Sequence, residues 1–204
     1  LKVQPVNTST ARCLALAGAL LAATGAQAAN LTVTVTNEQG QPLADAVVAL
    51  ELKGNRAVAA AGTRADLGQR NRAFEPPLLV VQTGTAVSFP NFDTVRHHVY
   101  SFSPIKTFEI KLYAGTPAAP VVFDKPGIAA LGCNIHDKML AHIVVVDTPH
   151  FTRTDAKGQA TLQVPAGDHV LKIWHPGMGE KPMLSMAQKV ADGGTAAAIK
   201  LASN

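Results

Sequence analysis

The stretch "LGCNIHDKM" at 131–139 places Cys133, His136 and Met139 three residues apart in series. A thiolate, an imidazole and a thioether are soft or borderline ligands. Together they suit copper better than calcium or magnesium, which take oxygen. Zinc accepts thiolate and imidazole, but structural zinc usually takes four cysteine or histidine ligands. A copper site with one thiolate and two imidazoles needs a second histidine from elsewhere, with the thioether as a weak axial ligand. "NFDTVRHHVYSF" (91–102) offers two, His97 and His98, at the start of a predicted strand. Side chains alternate along a strand, so only one of the pair can face such a site.

Each of these residues has a plainer reading. Cys133 is otherwise a buried, inert thiol, and Met139 a core residue. Glu109, on the predicted strand "KTFEIKLY" (106–113), is either a solvated carboxylate or an oxygen ligand of a non-blue copper centre. Asp93 reads first as a turn former and second as a carboxylate behind a ligating histidine. His142 reads as a satisfied polar residue on a half-buried strand, and His150, His169 and His175 as surface groups at turns. Met178, Met183 and Met186 lie close together and read as apolar packing, with a Cu(I)-passing patch as the sharper alternative. Cys133 and His136 sit too close on one loop for a nucleophile and its base, and no third orienting group follows them. Hydrolase elbows, zinc-protease helices and phosphate loops are missing from the sequence.

The elements that must position these groups read as strands. "LTVTVTNEQGQPLADAVVALEL" (31–52) alternates, turns at 37–42 and continues as a second strand. Residues 54–71 are small, polar and poorly patterned, and read as a loop. Residues 75–102 read as strand, glycine turn, strand, loop and strand. "APVVFD", "IAALGC" and "HIVVVD" are further strands, so the Cys–His–Met loop bridges two of them. Later strands turn at Lys157-Gly158 and Ala166-Gly167. This Val-rich pattern, punctuated by Gly and Pro, predicts an all-β, sandwich-like protein.

At the other end, Lys2 and Arg12 precede an apolar run, and Ala26–Ala28 form a small-x-small site, the pattern of a secretory signal peptide over 1–28. Cys13 lies in that run, so the exported chain keeps one cysteine, Cys133. A lone thiol in an oxidising compartment calls for a role, and metal binding is one. The chain carries a net charge of +4, and +2 once Lys2 and Arg12 are removed. It has no basic cluster interleaved with aromatics, so nucleic acid is not an expected partner. No membrane span is expected either.

"FPNFDTVRHHVYSF" and "KPGIAALGCNIHDKMLAHIVVV" together resemble the cupredoxins, the blue copper family. In both, an Asn-containing loop leads to a His that opens a strand, and a Pro-Gly turn and a strand lead to Cys, His and Met. The C-x2-H-x2-M spacing is similar to the short ligand loop of amicyanin. The resemblance covers about residues 72–147. It implies a Greek-key β-sandwich with one mononuclear copper ion cycling between Cu(I) and Cu(II). His97, Cys133 and His136 would be its ligands and Met139 its axial ligand, with Glu109 the alternative for that position. His98 stands where the family has Asn and is the alternative to His97; strand alternation favours His97. The aromatic strand before Cys in the family is "IAALG" here.

The flanks, "VTVTNEQGQPLADAVVALEL" and "TDAKGQATLQVPAGDHVLKIWHPG", resemble a carboxypeptidase-regulatory-like domain, an Ig-like or prealbumin-like sandwich. The expected organisation is therefore a signal peptide (1–28), first strands of the regulatory-like sandwich (29–71), the copper domain (72–147) and the remaining regulatory-like strands (148–204). The copper sandwich would be inserted in, or packed beside, the other, as insertion at exposed loop tips allows. Overall the chain resembles exported proteins of the methylamine-utilisation type with a plastocyanin-like part. The resemblance implies one-electron transfer to or from a periplasmic redox protein, with no catalysis of its own. A copper carrier or chaperone, and a metal-free cell-envelope binding module, are the other readings.

Overall fold

The computed structural model describes residues 28–136 and 138–202. The signal-peptide expectation lies outside them, apart from Ala28. The chain starts with β1 (Ala28–Asn37) and β2 (Val47–Leu52). It then builds β3 (Arg64–Asp66), β4 (Gly68–Arg70), β5 (Ala73–Glu75), β6 (Leu78–Gln82), β7 (Thr85–Ser88), β8 (His97–Ser103), β9 (Lys106–Tyr113), β10 (Val121–Phe123), β11 (Gly127–Gly132) and β12 (Leu140–Val146). It returns with β13 (Phe151–Arg153), β14 (Gln159–Pro165), β15 (Gly167–Trp174), β16 (Leu184–Val190) and β17 (Thr195–Leu201). The all-β expectation holds.

Four sheets stack in layers. The outermost, β14-β1-β17, packs on β13-β2-β15-β16; next comes the five-stranded sheet β6-β12-β11-β8-β9; the last layer is β10-β7-β3. The chain thus makes two strands of one sandwich, builds the other, and comes back to complete the first. β3 and β4 fall in the stretch read as loop. β3 instead pairs in parallel with β7, and β4 pairs with β5, so both belong with the sandwich that carries Cys133. Their three-residue length and small residues leave too little alternation to show in the sequence.

Burial explains which strands alternate. β1 has one buried face: Ala29, Leu31, Val33 and Val35 enter the first core, while its threonines face out. β2 and β12 are buried on both faces, so they read as continuous apolar runs rather than as alternation. Val48 and Leu50 enter the first core, and Val47 and Ala49 the layer between the sandwiches. β12 sends Ala141, Ile143 and Val145 into the core behind Cys133, and Val144 and Val146 into the shared layer. Trp174 completes that layer, fully buried against the other sandwich. The expected turn at Gly158 is real and tight. Its φ is +71°, and a Cβ there would stand 2.5 Å from the Val35 carbonyl oxygen.

One polar link adds to the apolar layer. The Ser103 hydroxyl at the end of β8 donates to Glu180, which follows β15, and accepts the Ala130 N–H at 2.9 Å. Met178, Met183 and Met186 are half-buried against the first core and the shared layer, which is a packing role. His142 turns its ring onto Trp174, with centroids 5.1 Å apart. Burial holds His142 below the ordinary imidazole value, against the opposing pull of Glu180. His169 departs from the surface expectation: it is buried, with Nε2 donating to the Pro165 carbonyl at 2.9 Å.

Candidate metal centre

Three strand ends converge at one end of the sandwich that carries Cys133. His97 opens β8, Cys133 follows β11, and the loop from Cys133 returns through Met139 to β12. A β-bulge in β9 sets the first of these. Opposite the step from His97 to Val99, β9 advances three residues, from Tyr113 to Ile110. Such a bulge bends the strand and re-aims nearby side chains.

His97, Cys133 and His136 each offer a ligand atom, and all three atoms lie within 4.8 Å of one another. Cys133 Sγ stands 3.9 Å from His97 Nδ1 and 3.8 Å from His136 Nδ1. The spacing can be tested against a metal. An ion about 2.0 Å from each nitrogen and about 2.3 Å from the sulfur, in a trigonal array, separates nitrogen from sulfur by roughly 3.7 Å. Both nitrogen–sulfur separations therefore fit a single metal ion held between the three residues. Their chemistry, two imidazoles and one thiolate, fits copper. The imidazole rings of His97 and His136 lie 4.9 Å apart at 58°. His97 is fully buried, Cys133 is buried, and His136 is half-buried at the rim. Met139 is buried in the same apolar cluster as Cys133.

His98 does not join this group. It turns away, and its Nε2 bonds Glu109 Oε1 at 2.8 Å. Glu109 is half-exposed on β9 beside Tyr100, so the carboxylate weighed as an axial ligand serves His98 instead.

The loop before His97 is held by Asn91. Its side-chain amide donates to the carbonyls of Val95 (2.8 Å) and Tyr113 (3.1 Å), and its Oδ1 accepts the Asp93 N–H at 2.9 Å. Asp93 Oδ2 lies 2.8 Å from His97 Nε2. An ionised carboxylate only accepts, so Nε2 carries the proton and Nδ1 is left to face Cys133. Burial raises Asp93, but donors from Arg72, His97 and Asn71 outweigh it and hold the carboxyl below its usual range. Asp93 is thus more than the turn former that its sequence position first suggests. A signal was available in its place four residues before His97.

Beneath the loop, the Tyr113 hydroxyl lies 2.6 Å from Gln69 Oε1 and 2.7 Å from the Phe89 carbonyl oxygen, and its single proton is available to either acceptor. Burial pushes Tyr113 up to about 12; the Gln69 bond opposes the rise and nearby Cys133 adds to it. The ordinary phenol value is about 10, so the unfolded chain loses this proton first. The stability carried by the neutral phenol is therefore complete below pH ~10 and is lost as pH rises towards about 12. Urea midpoints of the wild type should fall more steeply across that window than those of Tyr113→Phe. Parallel curves would remove Tyr113 as the cause.

No known family's sequence pattern matches the chain, and no curated protein sequence matches it. Among solved structures, it is similar to a Cu-containing nitrite reductase (NirK) from Thermus scotoductus SA-01, at 22% identity and a TM-score of 0.39. That match covers 45% of this chain and 25% of the reductase, so the chain spans about a quarter of that protein. It is also similar to a reduced amicyanin variant, at 18% identity and a TM-score of 0.37, covering 48% of this chain and 97% of the amicyanin. A second reduced amicyanin variant matches at 21% identity and a TM-score of 0.36, covering 50% of this chain and 98% of that one.

Proposed function

We propose that this chain is an exported copper protein that passes single electrons to or from a periplasmic redox partner. The observation that carries the reading is the buried His97–Cys133–His136 cluster, whose nitrogen and sulfur atoms are already spaced for one metal ion. Copper held there would supply a one-electron couple, Cu(I) and Cu(II). Met139, buried in the same apolar cluster as Cys133, would act axially. Cys133 gives up its proton when it ligates. The ligands come from strand ends in a packed core, which favours a centre that changes little between oxidation states.

His136 is the cluster's most exposed member. Ile135, its neighbour in the chain, is exposed, as are Phe92 and Val95 in the loop that leads to His97. A redox partner would meet the molecule at this apolar end. Copper release through a methionine patch is the weaker reading, because Met178, Met183 and Met186 pack against the two apolar cores. Among the described residues, no helix is long and apolar enough to cross a membrane.

The test is the visible absorption and EPR spectrum of the mature protein on adding Cu(II), with Cys133→Ala alongside. The expected result is an intense thiolate-to-copper band at one copper per chain that vanishes in the variant. A weak spectrum indifferent to the substitution would take Cys133 out of the site and the proposal with it.

A further inference from the structure

We infer that Asp93 is a positioning residue for the metal centre: a carboxylate pinned by the tip of the β4–β5 hairpin, which fixes the His97 ring and biases the site toward its oxidised state. The inference rests on the copper reading above and adds to it the group that sets the potential.

Both carboxylate oxygens of Asp93 are held from the same side. The Asn71 N–H donates to Oδ1 at 2.7 Å and the Arg72 N–H to Oδ2 at 2.9 Å. Those two N–H groups converge because Asn71 and Arg72 are consecutive left-handed residues, with φ of 53° and 57°. L side chains adopt that conformation rarely, and here it occurs twice running at the hairpin tip. The Asp93 side chain is only 13% exposed, so water competes little for it.

The remaining bond of Oδ2 goes to His97 Nε2. The ring is completely enclosed and each nitrogen has one task, Nε2 toward Asp93 and Nδ1 toward Cys133. A carboxylate behind a ligating imidazole fixes its tautomer and makes it a stronger donor. A stronger donor favours Cu(II) over Cu(I), which lowers the reduction potential. The turn itself does not require this carboxylate. Asn91 already shapes the loop through the Asp93 N–H and the Val95 carbonyl, and neither bond uses the Asp93 side chain.

The test is the reduction potential of copper-loaded Asp93→Asn, which keeps an acceptor of the same size and removes the charge. Preference for Cu(II) over Cu(I) should fall about tenfold, read as a potential about 59 mV higher. The thiolate band should persist. Thr94→Ala, in the same loop, should leave the potential where it was. An unchanged potential in an Asp93→Asn protein that keeps its band would overturn the inference while leaving the copper reading intact. A wild type without the band would overturn both. Should the variant not fold, the wild-type protein loaded with diamagnetic Zn(II) answers the question by NMR. A slowly exchanging His97 Nε2–H supports the clamp, and a rapidly exchanging one overturns it.

Discussion

His97→Ala is expected to abolish the thiolate–copper band and to weaken Cu(II) binding by more than about 100-fold, while His98→Ala keeps the band and binds nearly as the wild type does. Losing a partner behind a ligand costs about 10–100-fold in metal affinity, so losing the ligand itself costs more. The two adjacent histidines differ because strand alternation sends them to opposite faces of β8. His97 is fully enclosed with Nδ1 3.9 Å from Cys133 Sγ. His98 spends Nε2 on Glu109 and lies beside the ring of Tyr100, 5.7 Å between centroids. It cannot reach Cys133 without turning β8 over, which would expose Val99 and Ser101, both fully buried. Copper titrations followed by absorption would check this. A lost band in His98→Ala together with a kept band in His97→Ala would reverse the assignment.

The ligand loop was legible because its chemistry is local. Cys133, His136 and Met139 lie within seven residues, and a strand signal on each side shows that their loop must fold back on itself. The distant histidine was legible for a different reason: few residues in the chain can supply a second imidazole at a strand start. What surrounds it was harder to see. Asn91 and Asp93 are ordinary turn residues by type, and their bonds to Tyr113, Asn71 and Arg72 join segments about 20 residues apart. Sequence spacing carries no sign of such contacts. Likewise, Glu109 was weighed for the metal because carboxylates ligate, but its placement beside His98 follows from the β8–β9 register, which a bulge shifts by one residue.

Strand existence was also easier to read than strand company. β1 declares its buried face by alternation, and β14 does the same through Ala160, Leu162 and Val164. β2 and β12 show only that they are buried on both faces. Nothing in "VVALEL" or "HIVVV" says that they face each other across one apolar layer, since that layer unites residues as far apart as Val47 and Trp174. The short β3 and β4 are strands because of the neighbours they pair with, and their own residues have weak preferences.

The shared layer leads to the second large effect. Trp174→Ala is expected to destabilise the folded chain by about 3–5 kcal/mol, the usual cost of emptying a buried aromatic site. Trp174 is fully buried among Val47, Ala49, Leu78, Ile128, Val144 and Val146, which come from both sandwiches. Its indole N–H donates to the Gly179 carbonyl at 2.9 Å, so the substitution also leaves that acceptor without its donor. That loss adds about 1 kcal/mol. For a chain of this size the midpoint of thermal unfolding should drop by roughly 10 °C. Trp174→Phe retains most of the apolar volume and should lose less than half as much. The measurement is urea and thermal unfolding of the metal-free protein followed by circular dichroism. The metal cluster lies on the far face of the five-stranded sheet from this layer. The surviving folded fraction of Trp174→Ala should therefore still develop the thiolate band at low temperature. A loss below about 1 kcal/mol would mean that the layer closes up around the missing ring, and that the sandwiches gain little of their stability from each other.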